Sequence, residues 1–233
     1  MKRYLVCFFL SVFLSGCAGF KNRYPSEKKV IECHTDWGKK HYLKRIRKFR
    51  KRPLNYGDIV MLGNSITEEG RDWKAKLGVP NARNRGASGD VTEGVLLRLK
   101  EIIHFKPKMI FLMIGINDLS NRCSHKAMSS PEYVGYNILK ITKKIHRKIP
   151  DTKIYLQTIL PTSHEFMKDD IDAVNSIIKS NEKNGTYEVI DLNAVFLDEE
   201  GLLRSDLTYD GIHLNVKGYE TWVDVIKPFL DIE

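Results

Sequence analysis

Short apolar runs alternate along the chain with longer segments in which apolar residues return every three or four positions. Residues 58–63 read as a buried strand, residues 81–85 as a weaker second one, and residues 108–114 as a third that is apolar almost throughout. Residues 152–159 and 187–192 supply a fourth and a fifth. Unbroken apolar runs of this length are what strands buried on both faces look like. Between and after them, residues 91–104, 131–148, 167–181 and 216–230 carry helical periodicity. Strands alternating with helices imply right-handed crossovers and a parallel sheet. The pattern therefore predicts an α/β fold: a three-layer αβα sandwich around a five-stranded parallel sheet.

The N-terminal end departs from this pattern. Lys2 and Arg3 precede an apolar run too short to span a bilayer, which ends in Leu14-Ser15-Gly16-Cys17. A basic start, a short apolar stretch and small residues at its end make a secretory signal. Its last residues resemble the bacterial lipobox, which implies removal of residues 1–16 and lipidation of Cys17. Residues 17–38 are polar and aperiodic and read as a tether. Residues 39–52 hold nine Lys or Arg around Tyr42, Leu43, Ile46 and Phe49. That spacing predicts a basic amphipathic helix at the start of a single domain over residues 39–233, with Pro53 ending the helix. Its charged face reads first as a solvated surface and second as a contact for anionic lipid headgroups. The resulting expectation is a lipid-anchored protein of the bacterial cell envelope, on its periplasmic or cell-surface face.

Composition narrows the classes. A 233-residue chain with 42% hydrophobic residues has enough material for one substantial core. The net charge of +9 is not gathered with aromatics into a nucleic-acid reading motif, so no nucleic-acid partner is expected. Cys33 and Cys123 are left once Cys7 and Cys17 are assigned; they could pair in an oxidising envelope, and we read them first as two separate thiols. No Cys or His spacing fits a metal site, so no metal and no cofactor are expected. Asn184-Gly185-Thr186 reads as a turn.

The chemistry gathers at strand ends. Gly63-Asn64-Ser65-Ile66, Gly86 and Gly115-Ile116-Asn117-Asp118 each close an apolar run, and Asp210-Gly211-Ile212-His213 lies in a polar loop. In an open α/β sheet the carboxyl ends of the strands share one crevice. Ser65 would stand there where the chain turns into a helix, a position that also suits a plain N-cap. His213 can take a hydroxyl proton, and Asp210 can hold the other ring nitrogen. Asn117 and the Gly86 N–H can donate to a developing oxyanion, as can the Ser65 N–H. The other six histidines (His34, His41, His104, His125, His146 and His164) read as surface residues; the loop 161–166 after the fourth strand reads first as an ordinary surface loop and second as a border of the crevice where His164 and Phe166 could touch substrate.

In that order, the four segments resemble the SGNH hydrolases, the GDSL esterase and lipase family, from about residue 58 to the end of the last helix. The resemblance implies the flavodoxin-like form of the sandwich, with Ser65 as nucleophile, Asp210 and His213 completing a triad, and Ser65, Gly86 and Asn117 forming an oxyanion hole. The segments around Ser65 and around Asn84-Arg85-Gly86 look most like the branch of platelet-activating-factor acetylhydrolase subunits, whose bacterial members include sugar acetylesterases. One departure is Asn64, where the family usually has Asp; the expected consequence is altered local packing. The implied activity is removal of short acyl groups, acetyl first, from carbohydrate esters such as O-acetylated sialic acid or polysaccharide. The alternatives are a lysophospholipase or short-chain thioesterase, and a non-catalytic glycan-binding lipoprotein.

Overall fold

A computed structural model describes residues 23–120 and 130–230. The signal segment, Cys17, Cys123 and His125 lie outside the described residues. In chain order the elements are α1 (Asp36–Lys51), β1 (Ile59–Gly63), α2 (Ser65–Glu69), α3 (Trp73–Leu77), β2 (Ala82–Gly86), α4 (Thr92–Phe105) and β3 (Met109–Met113). Then come α5 (Ile116–Ser120), α6 (Pro131–Lys148), β4 (Lys153–Gln157), α7 (Lys168–Ser180), β5 (Glu188–Ile190), α8 (Leu192–Phe196) and α9 (Val216–Ile226). Every pairing is parallel, and the strand order is β2-β1-β3-β4-β5. The order reverses between β1 and β3, so the loops leaving them diverge and open a crevice at their carboxyl ends.

The sheet separates two apolar layers because side chains on a strand alternate in direction. On β3, Ile110 and Leu112 join the layer formed with α4, α6 and α7, whereas Met109, Phe111 and Met113 join the one that holds Trp73, Tyr219 and Trp222. α6 buries Val134, Ile138, Ile141 and Ile145, one face at helical spacing. Burying each such side chain is worth about 1.5–3 kcal/mol. Ser130 starts that helix by accepting from the Tyr133 N–H, and Pro131 fills its first turn.

The N-terminal end differs from expectation in three ways. The basic helix begins earlier, at Asp36, where Thr35 Oγ1 accepts from the Gly38 N–H. The stretch before it is no free tether from residue 23 onward. Tyr24, Ile31 and Cys33 are buried with Tyr42, Ile46 and Phe49 against Ala87 and Val91. Three apolar residues spread over ten positions have no periodicity to betray them. Cys33 is not a separate thiol either: it is disulfide-bonded, and all other cysteines lie outside the described residues. Sequence separation says nothing about the Cα proximity that permits such a bond.

Buried charges lock β2 to its neighbours. Arg85 forms a two-pronged pair with Glu101, at 2.8 and 3.0 Å, and Glu101 also accepts from Tyr24 Oη and the Leu54 N–H. Asp90, fully buried, holds Arg98 at 3.0 Å and His34 Nε2 at 3.1 Å. His34 is therefore a core residue rather than a surface one.

Candidate active site

β1 delivers the chain into α2 through Asn64. Asn64 Oδ1 accepts from the Ile66 N–H at 3.2 Å and so caps the helix that Ser65 begins. An amide oxygen makes this bond as well as a carboxylate oxygen would, so Asn64 keeps the cap without the charge. Ser65 is thereby held at the carboxyl end of β1, beside its paired strands β2 and β3.

His213 Nε2 lies 2.9 Å from Ser65 Oγ, and His213 Nδ1 lies 2.7 Å from Asp210 Oδ2. The second carboxylate oxygen, Asp210 Oδ1, accepts from the N–H groups of Ile212 and His213. Partial burial pushes the Asp210 carboxyl upward, but these hydrogen bonds outweigh it and hold the group below the usual carboxylate range. A charged Asp210 favours the tautomer with the proton on Nδ1, which leaves Nε2 free to accept from Ser65. The loop that carries the pair is closed on itself. Thr208 Oγ1 donates to His213 O and accepts from the Gly211 N–H, and Gly211 O accepts from the Ser163 N–H. The 160s loop is thereby tied to the loop that carries the pair, with His164 stacked on an exposed Phe166.

Asn117, at the start of α5, gives one amide hydrogen to Asp90 O at 2.9 Å, which fixes the direction of the other. Asp118 beside it is fully buried and accepts from Thr92 N and Oγ1 at the head of α4. Burial raises its pKa to about 7, against the opposing pull of the Thr92 hydrogen bonds.

Gly86 does not occupy the position expected of it. Its N–H donates to Asn84 Oδ1 at 2.9 Å, and a Cβ there would collide with the backbone of Glu68. The residue serves close packing of α2 on β2, so its N–H is spent within the fold. Three residues on, the chain turns through Ala87 to Asp90, closed by the Asp90 N–H donating to Ala87 O at 3.0 Å. Gly89 occupies that turn at φ +75°, a conformation that favours glycine, and no described residue takes up its N–H. In Gly86-Ala87-Ser88-Gly89 the signal for the second glycine is its turn spacing just before the helix.

Other neighbours also had no sequence signal. Tyr209 stacks on His213 at 5.9 Å and donates to Glu69 Oε2 at 2.9 Å, while Glu69 Oε1 stands 3.9 Å from His213 Nε2. His41, read from sequence as surface, bonds Glu68 Oε2 at 2.8 Å, and Glu68 also accepts from the N–H and Oγ of Ser88. No group of three or more His, Cys, Asp or Glu able to hold a metal ion occurs among the described residues.

Comparison with known proteins gives the same picture. Residues 61–221 match the model of the GDSL-like lipase/acylhydrolase family. The human platelet-activating factor acetylhydrolase IB subunit alpha2 is 27% identical over 183 residues, covering 75% of each chain. A Streptococcus pneumonia structure named for platelet activating factor superposes with a TM-score of 0.72 at 24% identity, covering 84% of this chain and 95% of the other. An acetylxylan esterase of Geobacillus stearothermophilus superposes with a TM-score of 0.60 at 18% identity, over 77% of this chain and 97% of its own. The five-stranded parallel sheet with helices on both faces is the fold these structures share. With a family match that spans most of the folded domain, the chain belongs to the GDSL-like lipase/acylhydrolase family and is an esterase of the serine type.

Proposed function

We propose that this protein removes short acyl groups, acetyl first, from carbohydrate esters, using Ser65 as nucleophile and His213 with Asp210 as its proton-handling pair. The observation that carries the proposal is the unbroken line Ser65 Oγ to His213 Nε2 to Asp210 Oδ2, at 2.9 and 2.7 Å. A serine hydroxyl attacks an ester only when a base removes its proton, and this line supplies one. His213 Nε2 takes the proton as Ser65 Oγ bonds to the carbonyl carbon. The carbonyl oxygen becomes an anion facing the N–H groups of Ser65 and Gly89 and the Asn117 amide. His213 then gives its proton to the leaving sugar hydroxyl, and the acyl group remains on Ser65. A water molecule, deprotonated by His213, attacks that acyl-enzyme; the acid leaves and Ser65 regains its proton. Gly89 here replaces Gly86 as the backbone donor.

The sugar-ester reading is supported by the likeness to an acetylxylan esterase and by the polar groups beside the Ser65–His213 pair, Glu69 and Tyr209. A lipid substrate would call for an apolar groove instead. We further propose that Cys17 carries lipid and holds the enzyme in the bacterial envelope, as the lipobox-like segment implies. Metabolic labelling with a fatty acid, lost in Cys17→Ser, tests that part.

The catalytic part is tested by fluorophosphonate labelling and by acetate release from acetylated oligosaccharides, with lysolipids and acyl thioesters run in parallel. We expect labelling of the wild type, none of Ser65→Ala, and a fall in turnover of about ten-thousand-fold or more in that variant. Near-normal turnover by Ser65→Ala overturns the mechanism. Faster turnover of lysolipids or thioesters than of sugar esters overturns the substrate assignment. Tight glycan binding without any release identifies a binding protein.

A further inference from the structure

Trp37 has no place in the reaction as derived, and its surroundings are unusual for a tryptophan. It sits in the first turn of α1, before the stretch that matches the family model, and 60% of its surface is exposed. A single apolar ring left in water is ordinary by itself. The ring is nonetheless held firmly. One face stacks on His41 with centroids 4.8 Å apart and planes 9° from parallel. His41 is fixed by Glu68 Oε2 at 2.8 Å, and Glu68 is fixed by Ser88, Gly89's neighbour. The indole edge lies against the Gly89 turn: a Cβ built on Gly89 would come within 3.3 Å of it.

This arrangement puts a pre-oriented aromatic ring, one face covered and the other exposed, beside the backbone donor assigned to the oxyanion. We infer that the open face of Trp37 is a stacking platform for a pyranose ring of the substrate, and so makes α1 a determinant of specificity for carbohydrate esters. Resting on the proposed esterase function, the inference deepens it by naming a subsite. Axial C–H groups of a sugar ring present a weakly apolar, slightly positive face that complements the negative face of an indole. Its hydroxyls then lie at the ring edge, where Ser88, Gly89's neighbour, offers polar groups. An acyl chain would gain nothing from those groups and would strip them of water. Trp37 is a positioning residue in this scheme: it holds the alcohol half of the ester and handles no proton.

Two measurements test the platform. Turnover is compared on an acetylated xylo-oligosaccharide and on ethyl acetate, in the wild type, Trp37→Ala and Trp37→Phe. We expect the ratio of kcat/KM for sugar ester over ethyl acetate to fall about tenfold in Trp37→Ala, mostly through KM, and to recover largely in Trp37→Phe. An unchanged ratio overturns the inference, as does an equal loss on both esters. The second measurement needs no turnover. Trp73 and Trp222 are buried, so acrylamide quenching of the chain's three tryptophans reports chiefly on Trp37. In Ser65→Ala, added acetylated xylo-oligosaccharide should protect that fluorescence. Absence of protection, or protection by submicellar lysophosphatidylcholine instead, assigns the ring elsewhere and overturns the subsite. These outcomes are distinct from failure of the esterase reading, which appears as activity surviving in Ser65→Ala.

Discussion

Tyr219 Oη donates to Ile66 O at 2.7 Å, which ties α9 to the residue after Ser65 across 153 positions of sequence. His213 lies just upstream of α9. This buried bond therefore joins the helix that begins with Ser65 to the segment that carries its base. Replacing Tyr219 by Phe keeps the ring packed against Trp73 and Trp222 but removes this buried donor to the Ile66 carbonyl. We expect about 1–3 kcal/mol lower stability in urea unfolding. A lower kcat with little change in KM would show that the bond also positions the site.

Asn117 offers one amide hydrogen to the crevice only because Asp90 O holds the other. Asn117→Ala should slow kcat by about a hundred- to a thousand-fold while the fold persists. Circular dichroism would confirm folding and steady-state kinetics would read the loss. A variant within threefold of wild type would remove Asn117 from the oxyanion hole.

Asp118 sets a pH dependence of stability. Burial raises its pKa from the ordinary 3.8 to about 7 in the folded protein. Between those values the unfolded chain has released this proton and the folded chain retains it. Its contribution to stability is therefore fully present below the unfolded value and is lost as pH rises through the folded one. The difference in urea midpoint between wild type and Asp118→Asn, followed from pH 4 to pH 8, should shift steadily in favour of the variant as pH increases. A constant difference would show that Asp118 is ionised in the fold throughout.

Glu101 is the only buried counter-ion of Arg85 among the described residues and also accepts from Tyr24 and Leu54. Glu101→Ala would strand a guanidinium beneath β2. The expected cost is about 3–5 kcal/mol, enough to lower the thermal midpoint markedly. Replacing Glu101 and Arg85 together by apolar residues of similar volume should restore much of that loss. A single variant as stable as wild type would mean that Arg85 finds water.

Much of this was legible along the chain. β3 and α6 announced themselves because their apolar residues are dense and their periods clean, and all five strands fall within or beside the expected ranges. The short helices α3, α5 and α8 span five residues each, too few for a period to register. Ser65, Asn117, Asp210 and His213 were identifiable because each sits in a recognisable local frame at a strand end or tight loop. Gly86 was misplaced because two glycines in one turn cannot be ranked without knowing which N–H the fold consumes. His34 and His41 looked like surface residues because their partners, Asp90 and Glu68, lie 56 and 27 positions away.

Local patterning by itself determined the elements, the parallel sheet and the residue types that could perform acyl transfer, since periodicity and turn chemistry act over a few neighbours. Folding decided which groups meet. It consumed the Gly86 N–H and left that of Gly89 without an acceptor among the described residues, packed residues 24–33 onto the domain, and set Trp37 beside the crevice. Those outcomes depend on contacts between distant segments, whose geometry is fixed only when the two apolar layers close on the sheet.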